Sequence, residues 1–487
     1  MPLSGIRVVD LTRILAGPYA TMILGDLGAD VVKIENPDGG DDSRGWGPPW
    51  VPEAGGASAY FAAVNRNKRS VALDLKSDAG RAIVWRLIEA SDVVVSNFRP
   101  GVIERLGFSW ESVQTRAPRV VYAIVNGYGA TGPGAEKPSF DVIVQGESGV
   151  MDVTGWPDGP PTRVGISLGD ETAGLLVVQG ILAALLARER TGLGQRVEVA
   201  LHDGLLSLLT YHAQNWWAGG PAPTRLGNAH PSIVPYQTFQ AADGWINVGV
   251  GNERQWRALC AAVGRPEWLN DTRFENNAAR VEHREELVPL LEEVFAGRLA
   301  SEWLDALGAA GIPSGRIRPV AEALDAPETR HREMVVEIGS DGKRPLHLLG
   351  VPVKLSATPG TIRRRPPALG EHTAEVLAEI GYDPNAGRGL DTLPSVYHTP
   401  DMSKRLQVVL EDSEYGEIQR IARRQRMNVS EWVRQALRRA RRSEPAVEAG
   451  RKLEAIRSAF ENEFPTADIE EMLEEIERGF LGGTESP

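Results

Sequence analysis

One aspartate, Asp170, stands between a glycine-flanked loop and a long apolar run in GISLGDETAGLLVVQGILAALLARERTGLGQ, residues 165–195. Asp170-Glu171-Thr172-Ala173-Gly174 leads into Leu, Val, Ile and Ala, so the carboxylate lies at or near a helix N-terminus. Unpaired backbone N–H groups and the helix dipole favour its anionic form there. A carboxylate so placed can attack a carbonyl carbon. Gly165 and Gly169 carry no Cβ, so a substrate carbonyl can come close to the backbone, and free N–H groups can hold a developing oxyanion. Taken alone, the same aspartate reads as an N-cap, the commonest role of Asp before a helix.

The chain that must position this carboxylate has 487 residues, 42% hydrophobic and 24% charged, enough for two to four domains. Its lone cysteine, Cys260 in RALCAAVG, excludes a disulfide framework and any multi-cysteine metal site, reads as a core residue, and fits a reducing cytosol. No metal, flavin or nicotinamide site is visible. The N-terminus MPLSGIRVVDLTRILAGPY lacks a signal-peptide core, and no window holds about 18 apolar residues without charge. A soluble, cytoplasmic protein with no membrane partner is expected. The net charge of −12 is uneven: residues 401–444 carry +4, residues 445–487 carry −7 and residues 1–400 carry −9. That reversal marks a separate C-terminal module.

Over the first 200 residues short apolar strands alternate with helical stretches: IRVVDL, AGPYATMILGDLGA and DVVKIE, then SDVVVSNF, PGVIERLGF and RVVYAIVNGYG. This βαβ pattern predicts an α/β fold with a Rossmann-like parallel sheet whose loops bind ligands. The G-x-G-x-x-G fingerprint is absent, with only Ala16-Gly17-Pro18 in the first turn, which argues against a nicotinamide dehydrogenase. From PAPTRLGNAHPSIVPYQTFQAADGWINVGVGNERQW onward the texture becomes a proline-bounded loop, two short strands and helices, a smaller α+β domain. Strands around MVVEI and LHLLGVPVKL and a helix in PPALGEHTAEVLAEIGY follow. The expected division is a large domain at 1–215, a small domain at 216–330, a return segment at 331–385, a linker at 386–401, a module at 402–444 and an acidic tail at 445–487.

The segments VVDLTRILAGPYATMILGDLGADVVKIE, NRNKRSVALDLKS, SDVVVSNFRPGVIERLGF, the Asp170 stretch, HPSIVPYQTFQAADGWINVGVGNE and PPALGEHTAEVLAEIG fall in the order and spacing of a known family. Over residues 1–385 the chain resembles the class III CoA-transferases, which include formyl-CoA, carnitine and succinyl-CoA transferases. The resemblance implies that Asp170 attacks an acyl-CoA thioester to give a mixed aspartyl anhydride. CoA then forms an aspartyl thioester, and an acceptor carboxylic acid takes the CoA through a second anhydride. Such an exchange is nearly isoenergetic, so covalent catalysis divides it into easier steps. Exclusion of water matters more than acid strength. CoA is a substrate here, with no separate cofactor. The resemblance also places CoA contacts at Leu15, Ala16, Leu73, Asp74, Leu75, Lys76, Asn97, Phe98, Arg105 and Lys137, and implies an interlocked homodimer of ring-like subunits.

Two departures narrow the reading. Formyl-CoA transferases carry a glycine run over the active site where this chain has TRLGNAHPS, which argues against oxalate and formyl-CoA as substrates. Dicarboxylates such as succinate, malate or mesaconate, or carnitine, are the expected acceptors. The related α-methylacyl-CoA racemases use a His and an Asp, whereas PSFDVIVQGESG has Ser139 where that His would stand and keeps Asp141. Racemisation, which needs an acid–base pair, is therefore the alternative activity. His230 lies in a Pro-rich loop and reads as a structural hydrogen-bonding residue.

The C-terminal module reads differently. MSKRLQVVLEDSEYGEIQRIARRQRMNVSEWVRQALRRARR alternates Leu406, Val408 and Leu410 with Arg405, Gln407 and Val409 before two helical stretches. It resembles a ribbon-helix-helix domain of the kind found in bacterial antitoxins. The resemblance implies that paired strands enter the DNA major groove with Arg405, Gln407 and Val409 facing the bases, while Ser430 at the second helix contacts a phosphate. Nine Arg between residues 420 and 442 would add salt-dependent attraction. FPTADIEEMLEEIERGF resembles an acidic toxin-binding segment. DNA and a toxin protein are thus the partners implied for residues 402–487, with an antitoxin-type repressor the alternative to the enzyme as the main function.

Overall fold

Alternating valines build the centre of the molecule, a computed structural model that describes residues 1–339, 345–382 and 420–421. Strands β1 (Arg7–Asp10), β2 (Asp30–Glu35), β3 (Lys68–Ala72), β4 (Val93–Ser96), β5 (Val121–Asn126) and β6 (Arg196–Ala200) pair in parallel in the order β3-β2-β1-β4-β5-β6. Successive side chains point to opposite faces, so Val8, Val93 and Val95 enter one core while Val9 and Val94 enter the other. Burial on both faces is why these strands read as near-continuous apolar runs.

The helices that matter for the site are α1 (Ala16–Asp26), α2 (Asp78–Glu89), α3 (Asp141–Glu147), α4 (Leu168–Thr191) and α5 (Thr373–Glu379). α1 and α4 cover one face of the sheet through Ala20, Leu24, Val177 and Ile181; α2 and α5 cover the other through Ile83, Leu87, Val376 and Leu377. Among the described residues α4 is the one helix long and apolar enough to cross a membrane by length and composition. Its Ala173, Val177, Ile181 and Ala184 are buried in the first core. Strand order reverses between β1 and β4, so the loops leaving their carboxyl ends diverge and open a crevice.

A second, separate core forms around an antiparallel sheet, β9-β8-β7, made of β7 (Tyr236–Ala241), β8 (Gly244–Gly249) and β9 (Ser314–Arg316). Phe239, Ile246 and Val248 pack there with Trp256, Phe274, Phe295 and Trp303. Cys260 is buried in this core, as its apolar surroundings predict. The segments around MVVEI and LHLLG form β10 (Val335–Ile338) and β11 (Leu346–Leu349), an antiparallel pair.

The chain then returns to the first sheet. Arg363 donates to the Gly25 carbonyl oxygen at 2.7 Å, and the buried Arg69 on β3 holds Glu375 and Glu379 of α5 as well as Asp30 on β2. The α/β fold with its parallel sheet agrees with the sequence reading. The linker, the ribbon-helix-helix module with Arg405, Gln407, Val409 and Ser430, and the acidic tail lie outside the described residues.

Candidate active site

Asp170 lies in the first turn of α4, half-buried, one residue beyond Gly169. The helix start is not capped by its own N-cap residue, Ser167. It is capped from α3: the buried Asp141 carboxylate accepts the Gly169 N–H at 2.8 Å with one oxygen and the Gln145 side-chain N–H at 2.8 Å with the other. Gln145 also accepts the Val164 N–H at 2.9 Å and donates to the Ile166 carbonyl oxygen at 3.3 Å. Two side chains of α3 therefore shape the loop that delivers Asp170.

This geometry corrects two sequence expectations. The Gly169 N–H is already bonded to Asp141, so it is not a free oxyanion donor. A Cβ at Gly169 would meet Asp141 Oδ1 at 3.1 Å, whereas one at Gly165 would meet nothing within 4 Å, so only Gly165 faces open space. The helix terminus also fails to dominate the ionisation of Asp170. Burial, then the Asp141 and Glu171 carboxylates, raise its pKa from 3.8 to about 7. Removing a carboxylate from water and facing it with like charge outweighs a terminal dipole worth about 0.3–1 kcal/mol.

α1 and α4 approach closely because Gly174 carries no side chain: a Cβ there would lie 2.9 Å from the Ala16 carbonyl oxygen and 2.9 Å from Tyr19. Close approach brings the Asp170 turn beside the turn that follows β1. Tyr60, on the helix Ala59–Val64, completes the surroundings. Its phenol is pushed up to about 12 by burial and by the Asp170 and Asp141 carboxylates. Trp46 packs edge-on against Tyr60 at 5.1 Å. The sequence offered no local signal for Tyr60, because its partners come from remote segments.

At the carboxyl ends of β1, β2 and β3 a cavity of about 240 Å³ is lined by Leu73, Asp74, Leu75, Lys76 and Phe98, together with Thr12, Arg13, Ile34 and Leu106. Five of the ten positions matched to CoA contacts thus share one cavity. Carboxylates also line it, but Glu35, Asp41 and Asp42 are paired with Arg44, Lys33 and Arg13, so the wall is less anionic than its composition. Leu15 and Ala16 sit where α1 begins, Leu15 as the N-cap, and Asn97 bonds the Arg13 backbone. Arg105 is exposed at the end of the short helix Val102–Arg105 and does not line this cavity. Lys137 does not either: it pairs with Glu147 at 3.3 Å and lies over the Tyr128 ring at 5.2 Å.

His230 has the structural role its loop suggests. Its Nδ1 accepts the Ser232 backbone N–H at 3.0 Å, and the His230 backbone N–H donates to the Tyr236 carbonyl oxygen at 2.9 Å. Among the described residues no group of three or more His, Cys, Asp or Glu is arranged to hold a metal ion.

Residues 3–373 match CoA-transferase family III. The chain is 40% identical over 382 residues to a succinate–glutarate CoA-transferase of Agrobacterium fabrum, covering 78% of this chain and 96% of that protein. It is 44% identical over 356 residues to an acetyl-CoA:oxalate CoA-transferase of Acetobacter aceti, covering 73% and 89%. A crystal structure of a CAIB/BAIF family protein from Brucella suis superposes with a TM-score of 0.70 at 40% identity, covering 78% of this chain and 99% of that one. An α/β fold built on a parallel sheet and matched over 371 consecutive residues leaves one conclusion: this chain belongs to the class III CoA-transferases.

Proposed function

We propose that the protein moves CoA from an acyl-CoA to a carboxylic acid acceptor with Asp170 as the covalent nucleophile. The Asp170 carboxylate attacks the thioester carbonyl; the C–S bond breaks, CoA thiolate leaves, and a mixed anhydride remains. The thiolate attacks the aspartyl carbonyl, forming an aspartyl-CoA thioester and releasing the donor acid as its carboxylate. An acceptor carboxylate displaces the thiolate to make a second anhydride, and the thiolate then attacks the acceptor's carbonyl, freeing product and Asp170. No proton needs to be moved at any step.

The observation that carries this reading is the half-buried Asp170 in the first turn of α4, with its pKa raised by burial and two neighbouring carboxylates. A raised pKa makes the ionised carboxylate a more basic nucleophile, and shielding from water protects the anhydride. Tyr60, held neutral, can donate to oxygen as charge develops. Support for CoA at the β1–β3 cavity comes from Leu73, Asp74, Leu75, Lys76 and Phe98 lining it. Leu15 and Ala16 follow the Thr12–Arg13 turn that lines it, and Asn97 bonds the Arg13 backbone; Arg105 and Lys137 would reach CoA only outside that cavity.

The racemase alternative loses ground because both oxygens of Asp141 are engaged in shaping the α4 start. Dicarboxylates, oxalate included, are the acceptor class that fits the named relatives. A homodimer is part of the reading, since Leu175, Leu186, Trp216 and Trp217 are large apolar residues left exposed on one chain. A cytosolic setting, and DNA and toxin contacts through residues 402–487, rest on the sequence features alone.

Mass spectrometry after incubation with a panel of acyl-CoAs and hydroxylamine tests the mechanism. A hydroxamate at Asp170, absent in D170A, is expected; CoA transfer that persists in D170A would sink it.

A further inference from the structure

Four side chains from four different segments hold the turn between β1 and α1. Asp10, on β1, accepts the Thr12 N–H at 2.8 Å. Lys33, on β2, donates to the Thr12 carbonyl oxygen at 2.7 Å. Asn97, after β4, accepts the Arg13 N–H at 2.8 Å and donates to the Arg13 carbonyl oxygen at 2.7 Å. Asp41, after β2, accepts the Ile14 N–H at 3.1 Å. Thr12 and Arg13 thus have both backbone polar groups held by side chains, and Ile14 has its N–H held as well.

The conformation so held is one the chain does not choose locally. Ile14 has φ 71°, the left-handed region that a β-branched residue rarely enters. The turn is also pressed against the helix start, where a Cβ on Gly17 would lie 2.4 Å from Thr12 Cβ. Three of the holding groups are fully buried charges: Asp10, and Lys33 with Asp41, whose side chains are 0% exposed and 3.0 Å apart. A second buried pair, Lys68 with Asp10 at 3.2 Å, backs them, and Lys68 donates to the Pro18 carbonyl oxygen at 2.8 Å. Burying ions costs stability that apolar residues of similar size would not cost, so a stability role alone does not account for them. The turn lies where strand order reverses, and Thr12 and Arg13 line the cavity.

We infer that Lys33, Asp41 and Asn97 are positioning residues for acyl-CoA: they hold Thr12–Ile14 in a strained, ready-made turn that aligns Leu15 and Ala16 with the cavity. The inference rests on the reading of that cavity as the CoA site. Pre-organisation of this kind lowers the ordering cost of binding, so its loss raises KM for acyl-CoA more than it lowers kcat.

The test compares full-length wild type with N97A, the charge-neutral double variant K33M/D41N, the triple variant, and K76A and F98A at the cavity wall. Steady-state KM for acyl-CoA and for acceptor, kcat and the thermal midpoint are measured for each. N97A removes a half-exposed clamp without emptying the core, so it keeps the test open if the double variant does not fold. Both N97A and K33M/D41N are expected to raise acyl-CoA KM about tenfold with little change in kcat or acceptor KM. The triple variant should be little worse than either, because all three serve one turn. A folded K33M/D41N with wild-type KM would overturn the inference, as would an effect confined to N97A, which marks a direct contact. If K76A and F98A leave KM unchanged, the cavity reading beneath it falls, and the positioning role falls with it.

Discussion

The Asp141 carboxylate accepts the Gly169 N–H at 2.8 Å, so the residue beside Asp170 is pinned by a second carboxylate from another helix. One contact does two things. It supplies the missing cap of α4, and it places a negative charge where it opposes ionisation of Asp170.

Removing Asp141 should therefore loosen the helix start. In D141A the Gly169 N–H and the Gln145 amide lose their acceptor, and a loss of about 1–3 kcal/mol in unfolding free energy is expected. Urea denaturation of the variant measures it. A midpoint equal to wild type would show that Asp141 does not hold this turn.

The pH dependence of acylation should follow Asp170. Only the carboxylate form attacks, so kcat/KM for the first half-reaction is expected to rise with pH through an apparent pKa near 7. Glu171 is one of the groups that raise this value, so E171Q should move the profile to lower pH. A profile flat between pH 5 and 9, a range of about two units either side, contradicts the assignment.

Stability should depend on pH in the opposite sense. Between 3.8 and about 7 the folded chain keeps a proton on Asp170 that the unfolded chain has lost, so stability contributed by that proton falls as pH rises through this window. D170N removes the penalty of ionising in place. It should match wild type near pH 4 and exceed it above pH 7 by about 1–2 kcal/mol, discounted for partial exposure. Thermal melts of the two proteins across that range decide it.

Gly174 sets the distance between α1 and α4. A methyl group there meets the Ala16 carbonyl oxygen and Tyr19 at 2.9 Å, so G174A should push the helices apart and cost about 1–3 kcal/mol. Because Asp170 lies one turn earlier, acyl-CoA turnover should drop as well. Wild-type kinetics in a destabilised G174A would separate the helix contact from the site.

Much of this was legible from residues alone. β1, β2, β4 and β5 announce themselves as short valine-rich runs, and α4 as a long apolar stretch behind an acidic residue, because local periodicity and burial go together in these elements. Loop chemistry at strand ends followed from the same alternation. β3 was less visible as an element. Its sequence Lys-Arg-Ser-Val-Ala does not look buried, yet Lys68 is 0% exposed and Arg69 is 4% exposed. β6, Arg-Val-Glu-Val-Ala, is an edge strand with Arg196 and Glu198 exposed, so its apolar signal is thin.

The charges explain the gap. A lysine within DVVKIE or at the head of KRSVA is tolerated in the core only because Asp41 and Asp10 meet it from elsewhere in the chain. Local sequence carries the order of strands and helices, since backbone periodicity is a near-neighbour property. Which ions pair, which N–H caps α4, and whether Asp170 is charged depend on groups many residues apart, and only packing of the tertiary structure brings them within reach.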